Sequence, residues 1–134
     1  MHVQYVSICD QVILGNDGRP SLIGVFNDLA AAAMPITIPR LAFAARILFT
    51  ADETGKARQI EVIVRDPNGV EIGRPSGELA LPQEPAGADS LAVDIPIQFD
   101  LFEVSLFGRY TFLLHIDGAP TAAVQLSVRQ VAAA

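Results

Sequence analysis

The chain has 134 residues, a length that suits one domain and lets a folded unit bury roughly two-thirds of the surface its unfolded chain exposes. Its net charge is −6 and its pI about 4.7, with nine Lys plus Arg scattered singly and Lys56 the one lysine. That balance argues against nucleic acid, whose binding rests on cations neutralising phosphates, and against an anionic membrane surface. The single cysteine, Cys9, leaves no intramolecular disulfide.

The elements follow in chain order. Val3–Cys9 is a strand apolar on both faces, so it is covered on both sides or meets a partner. The chain enters it with no basic segment, long apolar stretch or small-residue cleavage site, which predicts a cytoplasmic location. Asn16-Asp17-Gly18 supplies the positive-φ positions of a tight hairpin, and Ser21–Phe26 is the returning strand, again apolar on both faces. Asp28-Leu29-Ala30-Ala31-Ala32-Ala33-Met34 has a helix-cap residue before strong helix formers, and predicts one or two helical turns stopped by Pro35. The apolar stretch from Ala30 to Pro39 then plugs one end of the domain or forms a contact patch. Leu29–Phe49 is too interrupted, by Pro35, Pro39, Arg40 and Arg46, to be a membrane-spanning helix.

A period of two dominates the rest. Leu41, Phe43, Ala45, Ile47 and Phe49 alternate with an outward set whose Ala42, Ala44 and Leu48 are small or apolar and suit a two-fold dimer face. Ile60, Val62 and Val64 form the next inward row, ending at the Pro67-Asn68-Gly69 turn. Residues 73–87 read as a long proline-bearing loop with a short edge strand at Glu78–Leu81. Leu91, Val93, Ile95, Ile97 and Phe99 face inward along a strand whose Pro96 marks a sheet edge or a bulge. Leu101–Phe107 is a crossover with room for a helical turn, and Tyr110, Phe112, Leu114 and Ile116 face inward beyond it. Asp117-Gly118 turns the chain into a last strand carrying Val124, Leu126 and Val128. Each alternating run is a strand with one face inward. Residues 1–134 therefore form a single all-β domain, an antiparallel β-sandwich of about seven to nine strands.

Gly108-Arg109-Tyr110-Thr111-Phe112 refines that expectation. In immunoglobulin-like sandwiches a Tyr near the start of a late strand sends its hydroxyl back to upstream backbone, with an inward core residue two places later. Tyr110 and Phe112 fit that corner.

Candidate chemistry is sparse. Zinc needs His, Cys or carboxylate ligands at short reach, and His2, Cys9 and His115 form no paired spacing. His115 falls on an outward position, and Cys9 reads as a buried, inert thiol. The nearest approach to a nucleophile elbow, Gly73-Arg74-Pro75-Ser76-Gly77, has Arg74 where the first Gly belongs. If loops share a pole, Asp17, Asp52, Glu53, Glu84, Asp89 and Asp117 could offer hard oxygens to Ca²⁺. Ordinary turn and loop chemistry accounts for the same acids. No catalytic, cofactor-binding or metal-binding residue is assigned.

Ile8-Cys9-Asp10, Gly18-Arg19-Pro20-Ser21-Leu22-Ile23-Gly24-Val25-Phe26, Asp66-Pro67-Asn68-Gly69, Gly108 to Phe112 and Asp117-Gly118 occur in that order. In them the chain resembles a family of short bacterial single-domain proteins of unknown function, over about residues 3–129. The resemblance implies a compact β-sandwich and brings no catalytic residue with it.

The expected role is non-enzymatic: a protein-interaction or structural module, self-associating or covered by a partner protein. Three features point that way. Lys, which blunts exposed sheet edges, occurs once. The first two strands are apolar on both faces. Charged residues total 18% against a usual ~25%. The alternative is a small-ligand or Ca²⁺-dependent module using the acidic loops.

Overall fold

Ten strands and one short 3₁₀ turn make up the computed structural model, which describes residues 1–82 and 90–132. The strands are β1 (His2–Leu14), β2 (Pro20–Val25), β3 (Asp28–Ala31), β4 (Ile36–Thr50), β5 (Ala57–Arg65), β6 (Glu71–Gly73), β7 (Ser76–Ala80), β8 (Ser90–Val104), β9 (Gly108–Ile116) and β10 (Ala119–Gln130). They form two sheets that do not close into a barrel. One runs β2-β1-β4-β8. The other runs β3-β10-β9-β5-β6, with β7 also paired to β5. The all-β, sandwich-like architecture read from the alternation is thus the observed one.

The core lies between the sheets and is built from the predicted inward rows. Leu41, Phe43, Ile47 and Phe49 of β4, Val62 and Val64 of β5, Phe112 and Leu114 of β9, and Leu126 of β10 are each at most 1% exposed. Burying side chains of this size contributes about 1.5–3 kcal/mol apiece. Near the start of β9 the core is aromatic. Phe99, Phe102, Tyr110 and Phe112 meet in edge-on and tilted contacts with centroids 5.6–6.2 Å apart.

Tyr110 anchors the corner there. Its ring is 1% exposed. Its hydroxyl donates to the Leu106 carbonyl at 3.0 Å and accepts from the Leu106 N–H at 3.1 Å. One side chain thereby satisfies both polar groups of a residue in the β8–β9 turn. We predict that Tyr110→Phe destabilises the fold by about 1–3 kcal/mol, since both Leu106 groups lose their partner. Chemical denaturation checks this, and an unchanged midpoint would show that the bond contributes nothing.

Two helical expectations are corrected. Asp28–Ala31 is strand β3, not a helical turn, because it pairs in parallel with Ser127–Gln130 of β10. A four-residue run has too little intrinsic helix preference to outweigh that pairing. Leu101–Phe107 holds no helical turn either. β8 continues to Val104, and Leu101 takes a left-handed conformation (φ 54°) opposite Pro39. The irregular step returns Phe102 and Val104 to the core and leaves Leu101 71% exposed. The Ala30–Pro39 stretch is not a loop: Ala30 and Ala31 end β3 and Ile36–Pro39 open β4, with Met34, Ile36 and Ile38 packed against the core. Pro96 lies in β8, the edge strand of its sheet, as its missing N–H requires. Of the 73–87 loop, residues 83–87 lie outside the described residues, and its predicted edge strand is β7, at Ser76–Ala80.

The β1–β2 hairpin departs from a plain two-layer sandwich. β1 pairs with β4 from His2 to Cys9, whereas Gln11–Leu14 pair only with β2. Between these halves Asp10 faces Gly24, which has φ +67° and no room for a Cβ beside the Asp10 carboxylate. At ~3.3 Å per residue a straight β1 would hold its ends roughly 40 Å apart. Yet Arg19, Pro20 and Leu22 wall the same cleft as His2, Gln4 and Tyr5. The distal hairpin therefore bends back over the outer face of the four-stranded sheet.

Candidate functional site

The cleft beneath this hairpin has a volume of about 890 Å³, within the range of small-molecule sites. The sheet contributes His2, Gln4, Tyr5, Ser7 and Arg46; the hairpin contributes Arg19, Pro20 and Leu22. The lining has two arginines, one histidine and no carboxylate, in a chain of net charge −6.

Strand register builds its floor. Tyr5 pairs with Arg46 across β1 and β4, and Arg46 with Asp94 across β4 and β8, so the three side chains form one outward row. Arg46 Nη1 reaches both Asp94 oxygens at 3.0 and 3.3 Å, and the Tyr5 hydroxyl donates to Asp94 Oδ1 at 3.2 Å. Burial, and then the Asp94 charge, raises the Tyr5 phenol above its ordinary pKa, so it stays a donor at neutral pH. Asp94 fixes the Arg46 guanidinium from behind. Arg19 enters from the hairpin side, 87% exposed and 3.2 Å from Asp17.

The outer face beside this row is covered within the chain. Ala42, Ala44 and Cys9 are 1%, 3% and 0% exposed. The expectation that Ala42, Ala44 and Leu48 offer a free apolar dimer face is therefore corrected for Ala42 and Ala44, while Leu48 stays partly exposed. Small side chains there are covered within the chain. Cys9 is a free thiol that burial pushes above its ordinary pKa, with Sγ 3.5 Å from the Gln11 carbonyl. Four exposed apolar groups lie on the hairpin, Ile13 (46%), Leu14 (55%), Ile23 (43%) and Val25 (60%), and a second set, Val70, Ile72, Leu101 and Leu106, lies around the β5–β6 turn and the Tyr110 corner.

The 52–53 and 117 loops do share one end of the domain, where Arg58 donates to the Glu53 carbonyl and to Asp117 Oδ2, each at 2.9 Å. Glu53 receives the N-terminal ammonium at 2.7 Å and the Thr50 N–H at 2.9 Å, which pull its pKa down to about 2. Asp117 accepts the Gln59 N–H and pairs with Arg58, each at 2.9 Å, and is held low by both. Asp52 is held low by the Thr50 hydroxyl, and Asp17 is engaged by Arg19. Each of these four acids is already engaged, Glu53 and Asp117 by partners 52 and 59 residues away in sequence. Glu84 and Asp89 lie outside the described residues. Among the described residues no group of three or more His, Cys, Asp and Glu converges as a metal site would.

His115 is less open than its outward position implies. Its side chain is 18% exposed, with Nδ1 3.9 Å from Glu61 on the neighbouring strand. Ser76 opens the short strand β7, opposite Glu61, and is exposed. A second cleft of about 590 Å³ lies at the Tyr110 corner, between exposed Leu101 and Leu106 and the carboxylates of Asp66, Asp100 and Glu103. Asp66 is committed there to its own turn, accepting the N–H groups of Asn68 and Val70 at 2.9 Å.

Sequence reading missed the Tyr5–Arg46–Asp94 row. A faint signal existed: Arg46 and Asp94 are lone charges at outward positions of otherwise apolar strands.

These features define an all-β protein of two unclosed sheets whose first hairpin flanks an open, arginine-bearing cleft on one sheet. The chain belongs to a family of unknown function (DUF6941), whose model matches residues 4–129. Comparisons with curated proteins and with solved structures found no match. Among the described residues no helix is long and apolar enough to cross a membrane.

Proposed function

We propose that this protein is a non-enzymatic interaction module of the bacterial cytoplasm, immunoglobulin-like in topology, that self-associates through its β1–β2 hairpin. Strand order supports the topology: β1-β4-β8 faces β10-β9-β5, the arrangement of strands A, B and E opposite G, F and C, with Tyr110 where the tyrosine corner belongs. The β1–β2 hairpin is an addition to that frame.

The exposure of the hairpin carries the functional reading. Ile13, Leu14, Ile23 and Val25 stand 43–60% exposed on a two-stranded arm, and β2 is the edge strand of its sheet. Ile13 and Ile23 share one side of the arm, since their cross-strand partners Ser21 and Gln11 lie two register steps apart. Lys56, the single lysine, lies outside this edge, which therefore lacks the device that commonly blunts such strands. A two-fold pairing of two arms is self-complementary and closes on itself.

Light scattering over micromolar concentrations is expected to give twice the 14.3 kDa chain mass. A mass of 14.3 kDa at every concentration would overturn self-association.

A further inference from the structure

The cleft floor has a use that protein contact does not require. We propose that the cavity between the folded-back hairpin and the outer face of the four-stranded sheet binds a small soluble organic oxyanion, a phosphate ester or a carboxylate on an apolar body. The inference is independent of self-association.

Three observations carry it. First, the lining carries two arginines, Arg19 and Arg46, and no carboxylate, where the chain as a whole carries −6. A cleft of one sign concentrates the opposite charge.

Second, Arg46 is held in place. Asp94 engages its Nη1 from behind at 3.0 and 3.3 Å. A guanidinium has five donors, so the Nε and Nη2 groups stay available to a ligand. Asp94 in turn accepts from Tyr5, and the Arg46 side chain is 33% exposed, against 87% for Arg19. A fixed fork loses less freedom on binding an oxyanion than a free one. Asp17 and Asp94 partly offset the two cations; neither carboxylate lines the cleft.

Third, the walls are mixed in the way ligand sites are. Pro20 and Leu22 supply apolar surface on the hairpin side, while Gln4 and Ser7 add polar groups on the sheet side. Hydrophobic wall, polar floor and paired cations match a molecule with an apolar body and one anionic head.

Amide NMR titration of the intact chain with phenyl phosphate, benzoate and neutral phenol tests this. At least one anion is expected to give saturable shifts centred on residues 2–7, 19–22 and 46, with half-saturation at least about tenfold below that of phenol. Each charge-assisted hydrogen bond lost corresponds to about tenfold in affinity. Arg19→Ala and Arg46→Gln should each weaken binding by about that factor, and added salt should weaken it further. Arg19→Ala leaves the fold intact because the side chain is almost wholly exposed, so it remains decisive if Arg46→Gln loosens the Asp94 row. Which anion binds identifies the head group. The proposal is overturned if neither anion gives saturable shifts, if phenol binds as well, if the shifts centre elsewhere, or if Arg19→Ala binds unchanged.

Discussion

Phe112→Ala is expected to destabilise the protein by about 3–5 kcal/mol, the range for deleting a fully buried aromatic ring. Phe112 is 0% exposed and lies on β9, between β10 and β5. Its ring meets Phe99 and Phe102 of the opposite sheet at 5.6 and 5.8 Å. The ring is thus a contact between layers as well as within one. Its removal leaves a cavity that the long, paired strands β8 and β9 have little freedom to fill. At this chain length the loss corresponds to roughly 11–18 °C in melting temperature. Urea unfolding measures it directly. A cost under about 1.5 kcal/mol would mean that the aromatic cluster is not the hub joining the two sheets.

The second large effect is at Gly108. It opens β9 with φ +131°, and a Cβ built there would lie 2.7 and 2.9 Å from the Cβ and Cγ of Pro67. Both terms oppose any side chain: the backbone region is one that L residues rarely adopt, and the obstacle is a stiff ring rather than a flexible tip. Gly108→Ala is expected to cost about 2–5 kcal/mol, combining backbone strain with overpacking. Gly118 has φ +79° and open space around its missing Cβ, so Gly118→Ala should cost only about 1–2 kcal/mol. Equal costs for the two variants would remove the Pro67 contact from the explanation. The effect links two turns, since Pro67 belongs to the β5–β6 turn and Gly108 precedes the Tyr110 corner by two residues.

Much of this fold was legible because strands with one buried face alternate. Leu41 to Phe49 and Tyr110 to Ile116 announce both their structure and the side that enters the core. Tyr110 was legible for a different reason: its corner uses a local bond, four residues back, that a short motif encodes. What stayed hidden depends on partners distant in sequence. Asp28–Ala31 has helical preferences, and only the parallel pairing with β10 makes it a strand. Leu101 gave no sign of the left-handed step that lets β8 run on to Val104. The candidate cleft was the least legible part. Tyr5, Arg46 and Asp94 meet only because two registers align across three strands, and Arg19 joins them only because the hairpin bends at Asp10 and Gly24. The acids at 17, 52, 53 and 117 read as a cluster in the chain, yet each is already engaged in the fold.

The bent hairpin gives the account its unity. One side borders the cleft with Pro20 and Leu22, and the other carries exposed Ile13 and Ile23. Self-association through this arm is the central claim. Hydrogen–deuterium exchange of the amides, followed from low to high micromolar protein, tests it most directly. The account predicts protection that rises with concentration in Ile13–Leu14 and Leu22–Val25 and stays constant in β9 and β10. Concentration-dependent protection confined to another edge, such as β8, or none at any position, would contradict it.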